Sequence, residues 1–330
     1  MKPYVILGGG GWLGVQISRH LLSASPLIRI VGLGRSPERV APFALHRGID
    51  DSRYEYHQVH LVEEPERARQ LLESLQPEVI VNLAAQAEET ASWTRSWQYF
   101  ESNTTALARL VEAFIGVPWL RRWVQIGSAS VYGAGGDAAT EDCPLRPGTP
   151  YAVSKAAADS YLLSVGTARG FPVNILRPAN LYGPGQQLHR IIPKTALCAL
   201  TGRPLPLQGG GVARKFVLHA EDLGRAIQVV AEKGRPGRVY NVGPRDAVTI
   251  RTLVETICRK VGEPFERVVQ LAPDRGNRDT QVMLDSSRIT ADLGWEQVVN
   301  LDKGLDDTIA WMKQHVDVLR NMPTDFTFRA

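Results

Sequence analysis

Short apolar runs alternate along the chain with stretches in which apolar residues recur every three or four positions. Tyr4–Leu7 is the first run, and it ends in glycine as a buried parallel strand does. Leu13, Ile17 and Leu21 follow at i, i+4 and i+8, one face of a helix. The pattern then predicts a strand over Arg29–Leu33, a helix carrying Ala68, Leu71, Leu72 and Leu75 that stops before Pro77, and a strand over Val79–Leu83. A helix over Asn103–Phe114, a strand over Trp123–Ile126, a helix from Tyr151 to Val165 and a strand over Val173–Leu176 continue the series. Strands separated by helices of this length pair in parallel through right-handed crossovers. The expected fold is therefore α/β with a doubly wound parallel sheet.

After residue 180 the texture changes. Helical periods persist at Leu223, Ile227 and Val230, at Leu253, Ile257 and Val261, and at Leu305, Ile309 and Met312, but the intervening segments are richer in Pro, Gly and Arg. This predicts a first lobe over 1–180 and a smaller mixed α/β lobe over 181–330, with 216–243 returning to the first. The stretch after His315 shows no helical period and is assigned no structure.

Composition adds mainly exclusions. Lys and Arg total 38 against 34 Asp and Glu, a surplus of +4 with no basic block, so nothing points to nucleic acid or to an anionic membrane. The first residues do not form a secretory signal, and no stretch approaches the ~18 apolar residues of a membrane span. Cys143, Cys198 and Cys258 are isolated and odd in number, which argues against disulfides and structural zinc and fits a reducing cytoplasm. No metal site is expected.

Chemistry first appears at the turn after the first strand. Gly8-Gly9-Gly10-Gly11-Trp12-Leu13-Gly14 satisfies GxGxxG through Gly9, Gly11 and Gly14, and GxxGxxG through Gly8, Gly11 and Gly14. Glycine lets the backbone approach a pyrophosphate, and the helix beyond presents free N–H groups and the positive end of its dipole to the anion. Placed between a strand and an amphipathic helix, the pattern predicts dinucleotide binding. NAD-preferring folds place Asp or Glu after the second strand. Here the chain reads Gly32-Leu33-Gly34-Arg35-Ser36, with no carboxylate before Glu38. Arg35 would suit a 2′-phosphate, so NADP(H) is favoured and NAD(H) is the alternative.

A second signal is Tyr151-Ala152-Val153-Ser154-Lys155. Four residues apart on a helix, the phenol and the ammonium share a face. A neighbouring ammonium and a nicotinamide cation would lower the phenol's pKa from its usual value near 10. Ser128, just past the apolar strand at Trp123–Ile126, falls where a doubly wound sheet binds ligands. Its hydroxyl would hydrogen-bond the substrate oxygen that exchanges a proton with Tyr151.

Together these residues resemble the extended short-chain dehydrogenase/reductases that act on nucleotide sugars. The likeness runs through Asn82-Leu83-Ala84-Ala85, Gly127-Ser128-Ala129-Ser130-Val131-Tyr132-Gly133, Pro150 to Lys155 and Arg177-Pro178-Ala179-Asn180-Leu181-Tyr182-Gly183-Pro184-Gly185. It continues through Arg214-Lys215-Phe216, Tyr240-Asn241-Val242-Gly243 and Asp292-Leu293-Gly294-Trp295. The resemblance implies a Rossmann-type lobe for the dinucleotide, contacted by Gly8, Gly11, Trp12, Leu13, Gly14, Arg35, Ser36, Leu83, Ala84, Ala85, Tyr151, Lys155 and Pro178. It implies a substrate lobe that grips a nucleoside-diphosphate sugar through Asn180, Arg214 and Arg275, and a homodimer formed by helices of the first lobe. Surface arginine is the plainer alternative for Arg214 and Arg275, as ordinary packing is for His189 and Trp93.

Two departures bear on the reaction. The 4,6-dehydratases of the family carry an Asp-Glu pair before Val-Tyr-Gly, where it drives loss of water across C5–C6; here Ala129 and Ser130 stand there. His60 stands where the family commonly has an Asp near the adenine. The expectation is NADPH-dependent reduction of a 4-keto-6-deoxyhexose at C4 of a nucleoside-diphosphate sugar. An NAD-dependent 4-epimerase is the alternative, a 4,6-dehydratase comes third, and a non-catalytic dinucleotide sensor is the remote rival.

Overall fold

The structure is a computed structural model that describes residues 3–135, 138–273 and 282–328. Its strands are β1 (Tyr4–Leu7), β2 (Ile30–Gly34), β3 (Tyr54–Gln58), β4 (Val79–Asn82), β5 (Arg122–Ile126), β6 (Val173–Pro178) and β7 (Asn180–Tyr182). Further along come β8 (Leu205–Gln208), β9 (Arg214–Lys215), β10 (Val217–His219), β11 (Val239–Val242), β12 (Val248–Thr249) and β13 (Val269–Ala272).

Seven of these form one parallel sheet in the order β11-β6-β5-β4-β1-β2-β3, a Rossmann-type α/β arrangement. The chain winds from β1 outward to β3, then restarts on the other side of β1 with β4. At that reversal no crossover covers the carboxyl ends of β1 and β4, and a crevice opens there.

Alternation along the strands sends side chains to both faces. Ile6 enters one apolar cluster with Ile17, Leu21, Leu223 and Ile227, from the helices Trp12–Ala24 and Ala220–Lys233. Val5 and Leu7 enter the other with Leu72, Leu107, Leu110 and Leu162, from the helices Pro65–Leu75, Ala106–Glu112 and Pro150–Arg169. Burial on both faces is why the central strands read as unbroken apolar runs.

Residues beyond β6 build a second cluster from Leu188, Ile192, Leu253, Ile257, Leu305, Ile309 and Met312. Three two-stranded pairs edge it: β7 with β10 and β8 with β13 in parallel, β9 with β12 antiparallel.

Three local features differ from the sequence expectation. β3 was not anticipated, because an edge strand pairing with β2 alone tolerates Glu55 and His57, which break the apolar pattern. The helix expected to begin at Asn103 begins upstream as Ser96–Phe100 and passes through a π turn at Glu101–Thr105 before Ala106–Glu112. Beyond His315 a short helix, Val316–Leu319, buries Leu319 in the second cluster.

Candidate active site

The glycine turn lies at the carboxyl end of β1. Gly8 adopts a positive φ of 86°, and the Gly8 and Gly9 amides both donate to the Leu33 carbonyl, at 2.7 and 2.8 Å. A Cβ at position 14 would stand 2.4 Å from the Gly8 carbonyl oxygen, and one at position 9 would stand 2.7 Å from the Gly32 Cα. The first helix therefore packs directly on the turn. Gly11 precedes that helix in an extended conformation with no side-chain cap, so its first amides are available to an anion. The Trp12 indole and the Gln16 amide both donate to the Pro184 carbonyl, at 2.8 and 2.5 Å. The Trp12 side chain thus ties the turn to the chain beyond β7, while Leu13 packs half-buried against the core.

Leu83, Ala84 and Ala85 follow β4, with the Ala84 amide nitrogen 2.9 Å from where a Gly8 Cβ would be. Pro178 ends β6 and registers with Val242 of β11. Arg35 and Ser36 lie just past β2. Their carbonyls accept from Gln58 at 2.9 Å and from the Tyr56 hydroxyl at 2.5 Å. Glu38, the first carboxylate after β2, accepts two hydrogen bonds of 2.8 Å from Arg47 and lies 3.2 Å from His46. The glycine cradle, the uncapped helix start and the small residues after β4 suit a dinucleotide's pyrophosphate. These sequence-expected dinucleotide contacts gather at the carboxyl ends of β1, β2, β4 and β6.

Ser128, Tyr151 and Lys155 come together beyond β5. Thr149 caps the helix Pro150–Arg169 by accepting from the Ala152 amide at 3.2 Å, and Pro150 sits at its first position. This start turns Tyr151 toward Ser128, whose hydroxyl favours the ionised phenol. One turn on, Lys155 is 3% exposed and donates to the Ile126 carbonyl at 2.5 Å. Burial pushes the Tyr151 phenol up to about 12, with the Ser128 hydrogen bond pulling the other way. The expected lowering by the ammonium is not seen, and burial sets the direction. Burial also depresses Lys155 to about 8, with the Asp159 carboxylate opposing.

Behind them lies a buried ion pair. Arg177 Nε donates to Asp159 at 2.9 Å, and its Nη1 donates to the Tyr132 hydroxyl at 2.8 Å. Tyr132 donates onward to Asn241 on β11 at 2.7 Å. In the π turn, Asn103 Nδ2 donates to the Gln86 carbonyl at 3.0 Å and to the Ser154 hydroxyl at 2.9 Å. That joins the loop after β4 to the Tyr151 helix.

The structure adds residues that no sequence motif marks. The two Glu89 carboxylate oxygens accept from the Ser130 hydroxyl at 3.2 Å and the Thr149 hydroxyl at 3.0 Å. Its charge acts on the Tyr151 phenol. Neighbouring Glu88 pairs with Arg190 at 2.9 Å and lies 3.4 Å from His189. Tyr99 packs edge-on against Tyr151, with ring centroids 6.2 Å apart. Phe328 rests on Tyr99 at 6.4 Å and Phe326 on His189 at 5.3 Å, so the end of the described chain returns to this site. The available signal was the adjacent Glu88-Glu89 pair shortly after the Asn82-Leu83-Ala84-Ala85 motif.

Asn180 is exposed on β7, where its amide donates to the Phe216 carbonyl at 3.2 Å. Arg214 is exposed on β9, opposite Thr249. Both lie on short two-stranded pairs. Arg275 lies outside the described residues. Trp93 is 61% exposed. Among the described residues no cluster of His, Cys, Asp or Glu could hold a metal, and no helix is long and apolar enough to cross a membrane.

A model of the NAD dependent epimerase/dehydratase family matches residues 4–243. The chain belongs to that family. A dTDP-glucose 4,6-dehydratase of Streptomyces griseus is 30% identical, with 94% of each chain covered. A trifunctional UDP-glucose 4,6-dehydratase/UDP-4-keto-6-deoxy-D-glucose 3,5-epimerase/UDP-4-keto-L-rhamnose-reductase of Arabidopsis thaliana is 29% identical over 95% of this chain. This chain spans 47% of that relative's length. The solved dTDP-glucose 4,6-dehydratase of Bacillus anthracis, in complex with NAD, superposes with a TM-score of 0.86 at 27% identity, covering 96% of this chain and 98% of that one. These relatives are named as dehydratases of nucleotide sugars, solved UDP-glucose 4-epimerases share the fold, and the Bacillus anthracis structure holds NAD.

Proposed function

We propose that this chain carries out oxidation and reduction at C4 of a nucleoside-diphosphate hexose, with a nicotinamide dinucleotide held at the glycine turn. The observation that carries the reading is the Ser128–Tyr151–Lys155 cluster at the carboxyl end of β5, with Lys155 buried and Ser128 and Tyr151 half-buried, beside a cradle that only glycine fits. Gly8, Gly11, Gly14 and the uncapped amides at Trp12 and Leu13 would hold the pyrophosphate, with Leu83, Ala84, Ala85 and Pro178 closing the crevice. When bound, the nicotinamide supplies the hydride acceptor or donor. Ser128 orients the C4 oxygen, and Tyr151 takes or returns its proton. Lys155, anchored on the Ile126 carbonyl, presents positive charge to the nicotinamide ribose. Asn180, Arg214 and Arg275 would serve the diphosphate, where guanidinium forks match its geometry.

NAD fits the relatives. Arg35 and the absence of a carboxylate at Gly34 support a second reading, in which NADPH is consumed in reducing a 4-keto-6-deoxy sugar. Identifying the dinucleotide that co-purifies with the protein separates the two. Retained NAD, unchanged after turnover, fits a closed cycle; stoichiometric loss of NADPH fits a reductase. Tyr151→Phe is expected to cut turnover 10²–10⁴-fold while leaving dinucleotide affinity nearly intact. Near-wild-type turnover in that variant would overturn the C4 assignment.

A further inference from the structure

We infer that Phe326 and Phe328 form an aromatic wall of the hexose subsite and are specificity-determining residues for the sugar of the nucleotide sugar. The inference rests on the proposed function, which sets the hexose against Tyr151.

The segment Asp325–Phe328 touches both lobes beside that residue. On the second-lobe side, Asp325 lies 3.3 Å from the ammonium of Lys194 on the helix Ile191–Thr201, and Phe326 meets His189 edge-on with ring centroids 5.3 Å apart. On the first-lobe side, Phe328 rests on Tyr99 at 6.4 Å, and the Arg95 guanidinium stands 4.6 Å from its ring centroid. The two phenylalanine rings meet edge to face at 6.4 Å. One aromatic surface therefore runs from His189 to Tyr99.

Tyr99 carries this surface to the reacting group. Its side chain is buried, its hydroxyl donates to the Glu88 carbonyl at 2.6 Å, and its ring packs edge-on against Tyr151 at 6.2 Å. The ring cannot swing aside without breaking that hydrogen bond. Phe328 thus stands one fixed ring away from the phenol.

The two phenylalanines are not placed as core residues. The four apolar clusters of the described residues are built without either ring, and Phe326 is 42% exposed. Aromatic faces carry partial negative charge and attract the weakly positive C–H bonds on the apolar face of a hexose. The diphosphate needs cations and hydrogen-bond donors rather than aromatic faces, so the effect of this wall is confined to the sugar.

The test titrates dTDP-glucose and UDP-glucose, and then dTDP and UDP without the sugar, into the full-length protein saturated with NAD, by calorimetry. Phe326→Ala and Phe328→Ala are each expected to weaken binding of whichever nucleotide sugar the wild type takes by about 3- to 10-fold, and the double variant by about 10- to 100-fold. Binding of the matching sugar-free nucleotide stays unchanged in all three. Phe328→Tyr, which keeps the ring, is expected to bind as the wild type does, and Phe328→Leu as Phe328→Ala does. An NAD titration of each variant shows that the first lobe is intact. Equal or tighter nucleotide-sugar binding by the double variant, or an equal loss for nucleotide and nucleotide sugar, overturns the wall and leaves the proposed function standing. A wild-type protein that binds neither nucleotide sugar defeats the proposed function, and the wall falls with it. The first failure is read in the variants and the second in the wild type.

Discussion

At the scale of single residues, the site is governed by desolvation more than by charge pairing. Tyr151 and Lys155 share a helix face as the i, i+4 spacing requires, yet burial moves the phenol up to about 12 and the ammonium down to about 8. Both shifts disfavour the charged forms, so under the proposed function a bound cationic nicotinamide and the Ser128 hydroxyl would be what brings the phenol into a working range. A consequence for stability follows from Lys155. Below pH 8 the lysine is protonated in both folded and unfolded chains, and the folded state bears the full penalty, about 3 kcal/mol at 1.36 kcal/mol per unit. Between pH 8 and 10.5 the unfolded chain binds more protons, so this contribution to stability rises with pH. Urea denaturation of wild type and Lys155→Met should show the wild type gaining on the variant across that window, and a flat difference would contradict it. The Ser–Tyr–Lys set was legible because a helix period and a strand end locate it. Glu89 was not, because its partners Ser130 and Thr149 lie 41 and 60 residues further along the chain.

At the scale of elements, close backbone approach decides where glycine is required. The first helix sits on the turn so tightly that a methyl group at position 14 would meet the Gly8 oxygen and the Gly9 Cα, at 2.4 and 2.6 Å. Backbone on both sides cannot yield as a flexible side chain would. Gly14→Ala should therefore destabilise by about 1–3 kcal/mol, the usual cost of overpacking. It should also weaken dinucleotide affinity more than tenfold, because the helix amides would be pushed off the turn. Thermal denaturation and a dinucleotide titration check the two effects separately. The apolar elements were readable from their periods alone. β3 and the π turn were not: an edge strand need not be apolar on both faces, and an inserted residue in a helix leaves no periodic trace when Asn103 spends its side chain on Gln86 and Ser154.

At the scale of the molecule, a buried polar chain joins the Tyr151 helix to the far edge of the sheet. Lys155 is followed one turn on by Asp159, which pairs with Arg177 of β6. Tyr132 and then Asn241 of β11 extend the line. The Asn241 amide donates to Glu141 at 2.8 Å, and Arg288 pairs with Glu141 and Asp142. Asp159 and Arg177 are 0% and 3% exposed, so removing one leaves the other's charge buried without its hydrogen-bonded partner. Arg177→Met is expected to cost about 3–5 kcal/mol, and Arg177→Met combined with Asp159→Leu to recover most of it. Equal losses in the single and double variants, read by urea denaturation, would show the pair is not coupled. The sequence by itself determined the alternation of strand and helix, the glycine turn and the Ser128, Tyr151 and Lys155 set, because each depends on side-chain period or on spacing within one or two neighbouring elements. Only the tertiary structure decided that Glu89 meets Ser130, that Trp12 anchors on Pro184, and that Phe326 and Phe328 return to the site. Those contacts join segments far apart in the chain, and a local pattern holds no information about which distant segments the winding of the sheet brings together.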